Sequence, residues 1–236
     1  MNLRNAIGRR LQQRGIGRRY RNGASAPGGN ILTPSRIGWA NEMMRWADEF
    51  ICQPHPMLRR KGPVCPFMQK TMRVDRYLIA LHDEVRAGKL SLLRDIVFSH
   101  AEGLKKNFPE TDPDGAFTGL VIVFPLLPEG EVGVLDEVHT QLKSDLMAHD
   151  VMLSPFYARS VKPSISNPEF HVFQSPLPCF VMRHVDVRDI VFLSHNPLAF
   201  ARYHARFAQQ FRDNKVSNEF GYVDRYLEAK ARHRVR

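Results

Sequence analysis

The sequence predicts an α+β fold, a single domain in which several helices pack against a mixed, largely antiparallel sheet. Three observations predict it. Apolar residues recur at helical spacing in the first half of the chain, residues 116–127 form a long β-branched apolar run, and the last third contains short β-rich segments separated by Pro and Asp.

The two ends of the chain hold most of the positive charge. Of 236 residues, 34 are Lys or Arg and 24 are Asp or Glu. Residues 1–21 hold seven Arg and no acid, and residues 225–236 hold five bases and one acid, which leaves 22 bases and 23 acids in residues 22–224. We therefore predict a flexible basic tail and linker (1–33), a globular domain (34–215) and a basic C-terminal tail (216–236). The nearly neutral body argues against a nucleic-acid partner.

The helices are predicted from apolar spacing and from prolines at their starts. The first begins near Pro34 and ends before Pro54, and a second begins at Pro66. Residues 89–108 and 129–150 each carry one apolar stripe, and Pro197 starts a last helix with an aromatic stripe.

The strands are predicted from β-branched and aromatic runs. Residues 116–127 are the candidate central strand, and residues 76–85 read either as a buried strand or as the end of the helix begun at Pro66. Four later segments have the spacing of antiparallel strands: 151–157, 169–175, 179–187 and 189–194.

Composition predicts a soluble cytoplasmic protein with reduced thiols. No apolar run approaches the roughly eighteen residues that a membrane span needs. The arginine-rich leader lacks the apolar segment of a secretory signal, and three cysteines are too few for a disulfide framework.

The stretch "GPVCPF" places a thiol at the predicted start of a helix. Proline suits the first helical turn, so backbone N–H groups can point at the sulfur of Cys65 and favour the thiolate. A thiolate can ligate a metal or act as a nucleophile, and the alternative is a buried structural cysteine. A zinc site is a further alternative, because Cys52 and His55 form a Cys-x-x-His pair to which Cys65 and His82 could be added.

Residues 167–186, "NPEFHVFQSPLPCFVMRHVD", form the segment richest in candidate site residues. Two strands there would place the polar side chains His171, Arg183 and His184 within an apolar hairpin, where each needs a partner. An imidazole could hold iron, and the planar guanidinium of Arg183 matches a carboxylate. Satisfied core or edge histidines and an ordinary salt bridge to Asp186 or Asp189 are the alternatives.

Four ordered segments carry a resemblance to a known family: "GPVCPF", "LVIVFPLL", residues 135–157 and residues 167–193. Over residues 38–212 the chain is similar to a bacterial domain family of mostly unknown function that occurs in and around natural-product gene clusters. Its layout also resembles the YqcI/YcgG type of small heme proteins, which N-oxygenate amino-acid side chains. That type has a more Gly-rich segment where this chain has "FQSPLPCFVMRH".

The resemblance implies an enzyme that uses heme b and dioxygen. Cys65 and His171 become the competing axial ligands of the iron, Phe67 and Phe173 lie beside the cofactor, and Arg183 and His184 are the catalytic or substrate-binding residues. The implied partners are an amino-acid substrate with a guanidine or amine, such as arginine or lysine, and an electron donor. A homodimer is compatible with the sequence.

Two other functional classes stay open from the residues. One is a non-catalytic binding module whose arginine-rich tails engage an acidic partner. The other is a zinc or cofactor-free enzyme centred on Cys65.

Overall fold

A computed structural model describes residues 33–112, 115–218 and 220–235, and its architecture confirms the α+β class. The described residues form seven α-helices: α1 (Pro34–Trp46), α2 (Pro66–Arg73), α3 (Leu90–Asn107), α4 (Val134–Ala148), α5 (Ile190–Leu193), α6 (Pro197–Arg212) and α7 (Tyr222–Arg232). Four strands form one sheet: β1 (Tyr77–Leu81), β2 (Gly119–Val123), β3 (Val151–Phe156) and β4 (Cys179–His184). The predicted flexible tail lies, except for Thr33, outside the described residues.

The sheet is mixed, as predicted, with the strand order β1-β2-β4-β3. Strand β1 runs parallel to β2, with Tyr77 opposite Gly119, and β2 runs antiparallel to β4, with Val121 opposite Val181. All five residues of β2 are buried, as expected for a central apolar strand. The ambiguous segment 76–85 contains strand β1, which α3 connects to its parallel neighbour.

The chain folds as two compact units. The first unit comprises Leu153–His184 and the described residues up to Thr140, and the second comprises Gln141–Met152 and the described residues from Val185 onward. No helix among the described residues is long and apolar enough to cross a membrane.

One apolar cluster forms the core of the first unit beneath helix α1. Met43 and Trp46 of α1 are buried there with Val121 and Val123 of β2. The indole N–H of Trp46 donates to the carbonyl of Gln174 at 2.9 Å, which satisfies its polar atom inside the core. We call this group the first core.

The second unit has its own core, built from aromatic side chains of α6 and α7. Phe200 and Tyr203 of α6 are buried with Tyr226 of α7. The Tyr226 ring stacks on Phe211 at 3.8 Å, and its hydroxyl lies 2.9 Å from His204 Nδ1. The segment that we assigned to a basic tail therefore includes a helix with a buried aromatic anchor.

Two of the predicted strands are absent from the described residues, for local reasons. Residues 169–175 form no strand beyond the isolated bridge between Pro163 and His171, because prolines at 163 and 168 cannot donate to a ladder. Residues 189–194 are mostly helical, because Asp186 and Asp189 form a reciprocal capping box that starts a helical turn.

Candidate functional site

Cys65 occupies the N-cap of α2, as the sequence predicted. Its backbone is extended, Pro66 follows in the first helical turn, and its Sγ accepts the backbone N–H of Met68 at 3.4 Å. The backbone N–H of Cys65 donates to Ile51 at 2.9 Å, which fixes the residue from its other side. The thiol is therefore held at the N-terminal, positive end of a helix.

Cys65 is half buried at the margin of the first core. Cys65 packs against the first core together with a set of partly buried hydrophobic side chains, among them Phe50, Val172, Phe173 and Leu177. These side chains, with Cys65, are called the half-buried apolar group below.

The other two thiols are buried and inert by comparison. Burial raises the pKa of Cys179 to about 12. Burial, followed by the proximity of Cys65 and Asp48, raises the pKa of Cys52 to about 12 as well. Among the three free cysteines, only Cys65 is not fully buried.

The Cys-x-x-His pair does not assemble into a larger cluster. The His55 ring stacks on Phe170 at 4.3 Å, and its Nδ1 accepts the Met57 N–H at 3.3 Å. Within the part of the chain that the structure describes, no group of three or more His, Cys, Asp or Glu side chains is placed to hold a metal ion.

His171 lies on the surface. It is exposed, and its backbone forms the isolated bridge with Pro163. Its neighbours Phe170 and Phe173 pack against the first core, but the imidazole is not enclosed with them. An exposed imidazole lacks the apolar surroundings that a buried heme ligand has.

Arg183 and Phe67 lie together. The Arg183 guanidinium lies 4.7 Å from the centre of the Phe67 ring, and its Nη1 donates to the His184 carbonyl at 2.9 Å. Strand alternation puts Arg183 on the face of β4 that also bears Val181, which packs against the first core. The Arg183 side chain is thus half buried, and its guanidinium packs over the Phe67 ring.

His184 is a buried residue whose ring lies between a backbone carbonyl and a carboxylate. Its Nε2 lies 2.8 Å from the Phe108 carbonyl oxygen, and its Nδ1 lies 3.0 Å from Glu110 Oε1. The side chain is 3% exposed, and the contact between Nε2 and the Phe108 carbonyl gives this buried ring a hydrogen bond. The geometry is that of a structural histidine, which joins the end of β4 to the end of α3.

Three side chains near the end of β1 form a hydrogen-bonded chain that the sequence did not predict. His82 Nδ1 lies 2.6 Å from Glu84 Oε1, and His82 Nε2 lies 2.8 Å from His100 Nε2. Burial, followed by the proximity of His82, lowers the pKa of His100 to about 4. The available signal was a His-x-Glu sequence directly after a strand, because side chains at the carboxyl ends of parallel strands often bind ligands.

Comparison with known proteins identifies the family. A family model described as a domain of unknown function, DUF6875, matches residues 40–218. The searches of curated proteins and of solved structures each gave no match. The match agrees with the predicted family of unknown function and contains no link to the YqcI/YcgG type. The chain belongs to the DUF6875 family.

Proposed function

We propose that this protein is a cytoplasmic heme-dependent oxygenase in which Cys65 ligates the iron and the substrate is an amino acid oxidised on a side-chain nitrogen. The observation that supports it is the Cys65 thiol, which caps α2, accepts the Met68 N–H and lies in the half-buried apolar group. Helix-capped thiols in apolar surroundings can serve as axial ligands of heme iron.

The residues around Cys65 fit both parts of heme b. The half-buried apolar group would contact the porphyrin, and Phe173 belongs to it. Arg59, Arg60 and Lys61 lie four to six residues before Cys65 and would pair with the propionates, with Arg59 exchanging its exposed ion pair with Glu169, 3.6 Å away. Arg60 Nη2 donates to the Val64 carbonyl at 2.9 Å, which anchors one of these bases beside Cys65.

Between the two predicted ligands, the structure favours Cys65. His171 is exposed, whereas Cys65 is held by hydrogen bonds on both sides. We therefore assign the iron to Cys65 and leave His171 outside the site.

Bound heme would supply the redox chemistry that activates dioxygen. The balanced reaction is R–NH2 + O2 + 2e⁻ + 2H⁺ → R–NHOH + H2O, with R–NH2 an amine or guanidine and a separate reductant as the electron donor. The half-buried apolar group would exclude water from the reacting nitrogen. Arg183, half buried over Phe67, would hold the substrate carboxylate through its planar guanidinium.

Titration of the purified full-length protein with hemin tests this proposal. We expect a Soret band that saturates at one heme per chain, its loss or marked shift in Cys65→Ser, and no change in His171→Ala. Serine is a good N-cap, so Cys65→Ser should keep α2 folded. The proposal fails if wild-type protein binds no heme, if Cys65→Ser leaves the spectrum unchanged, or if His171→Ala removes the band.

A further inference from the structure

We propose that His82 and His100 form a binding site for one divalent transition-metal ion of the Zn²⁺, Co²⁺ or Ni²⁺ class, with Glu84 orienting His82. The site is separate from Cys65 and does not depend on the proposed heme chemistry. Three contacts at the carboxyl end of β1 carry the proposal.

The first contact fixes the tautomer of His82. A carboxylate 2.6 Å from Nδ1 accepts the ring N–H there, so the lone pair of the neutral ring lies on Nε2. A histidine that ligates a metal through one nitrogen commonly donates its other N–H to a carboxylate, which orients the ring and raises its basicity. Glu84 has this relation to His82.

The second contact brings two imidazole nitrogens to one point. The Nε2 atoms of His82 and His100 are 2.8 Å apart, and the ring planes are nearly perpendicular at 84°. Two nitrogens that bind one ion at about 2.0–2.1 Å lie roughly 2.9–3.4 Å apart for octahedral or tetrahedral angles. An ion can enter between the two atoms when His100 carries its N–H proton on Nδ1 instead of Nε2, and small rotations of the side chains supply the difference in distance.

The third contact attaches His82 to the sheet, while His100 lies on a helix. The His82 backbone N–H donates to the Val123 carbonyl at 2.9 Å, which ties it to the end of β2, and His100 is carried by α3. The neighbouring acid Asp83 is paired with Arg36 at 3.0 Å. The pair of imidazoles is consequently placed by two rigid elements, as a preorganised metal site requires.

The pair of imidazoles is partly closed to solvent, since His82 is buried and His100 is half buried. His100 is only partly buried, so the two Nε2 atoms are not sealed from the solvent. Since the described residues offer no cluster of three or more ligands, water completes the coordination, which is the arrangement of an open site rather than a structural one.

Calorimetric titration of chelator-treated, tag-free full-length protein with NiCl2 and CoCl2 tests the site. We expect one ion per chain, with affinity lost in His82→Ala and His100→Ala and weakened about 10- to 100-fold in Glu84→Gln. Exposed His149 supplies the matched control, since His149→Ala should bind like wild type. Glu84→Gln changes a half-exposed side chain, so it reports on the site even if a histidine variant fails to fold.

The absorption spectrum of the Co²⁺ complex identifies the ligand atoms. Nitrogen and oxygen ligands give only weak visible bands, whereas thiolate ligands add an intense near-ultraviolet charge-transfer band. The proposal is overturned by a thiolate band, by wild-type protein that binds no ion, or by equal affinity in wild type, Glu84→Gln and His100→Ala. Heme binding is measured separately by the Soret band, so failure of one proposal is distinguishable from failure of the other.

Discussion

The three thiols differ in burial, and we expect their reactivity to differ accordingly. With iodoacetamide at pH 8, native protein should be alkylated rapidly at Cys65 and slowly at Cys52 and Cys179, because burial raises the pKa of both latter thiols to about 12. Peptide mass spectrometry of timed samples measures the three rates.

Cys65→Ser is the control for this labelling experiment. It should remove the rapid phase and leave the slow labelling of the other two thiols unchanged. Rapid modification of Cys179 in native wild-type protein would contradict the burial on which the assignment of Cys65 depends.

His100 should make the protein less stable in acid. Its pKa falls from 6.5 in the unfolded chain to about 4 in the fold, so the unfolded state binds the extra proton between these values. The stabilisation is complete above about pH 6.5 and is lost as the pH falls toward 4, which amounts to roughly 3 kcal/mol.

Denaturant unfolding at pH 7 and pH 4, with chelator present, measures this contribution. Wild type should lose roughly 3 kcal/mol more stability than His100→Asn over that interval, since Asn can still donate a hydrogen bond toward His82 but does not titrate. Equal losses in the two proteins would mean that His100 is not a neutral buried imidazole.

The position of a single residue could be predicted where neighbouring residues in the sequence determine it. It could not be predicted where a contact between distant parts of the chain determines it. Pro66 directly after Cys65 predicted a capped thiol, and the structure confirms it. The contact between His82 and His100 could not be predicted in this way, because it joins a strand end to a helix turn eighteen residues later. From the sequence, His82 was predicted only as an additional ligand of a zinc site with Cys52, His55 and Cys65.

At the scale of elements, β2 is a central strand of the sheet. It pairs on both sides, and Ile122 in its middle is fully buried. Ile122→Ala should lower the free energy of unfolding by about 2–5 kcal/mol, because it removes buried methyl groups and leaves a cavity.

The exposed Leu92 of α3 is a matched aliphatic control. It is 38% exposed, so Leu92→Ala should change stability by about 0.5 kcal/mol or less. Chemical denaturation of the two variants compares them directly, and similar losses would show that β2 is not the centre of the fold.

Helices and strands were predicted well where the apolar residues of a segment follow a single periodicity. The apolar stripes of α3, α4 and α6 and the β-branched run of β2 each have one interpretation, and each formed as predicted. The segment 189–194 did not, because its β-branched residues favour a strand while the capping box of Asp186 and Asp189 starts a helix. Two carboxylates that satisfy helix-end N–H groups outweighed the weaker strand propensity.

At the scale of the whole molecule, the range matched by the family model ends before the second compact unit does. The DUF6875 match covers residues 40–218, whereas α7 lies beyond it and completes the core of the second unit through Tyr226. Charge composition predicted a tail there, because Arg and Lys outnumber the apolar residues that the helix buries. A basic segment with one correctly spaced aromatic residue can therefore be part of a core.

The central claim is that Cys65 ligates heme iron, and the absorption spectrum of the reduced protein with carbon monoxide tests it most directly. Thiolate ligation shifts the Soret band of that complex strongly to longer wavelength, whereas histidine ligation leaves it near the position found in globins. We predict the long-wavelength band in wild-type protein expressed with added heme precursor, and its absence in Cys65→Ser. A globin-like band, or colourless protein under the same conditions, would contradict the claim.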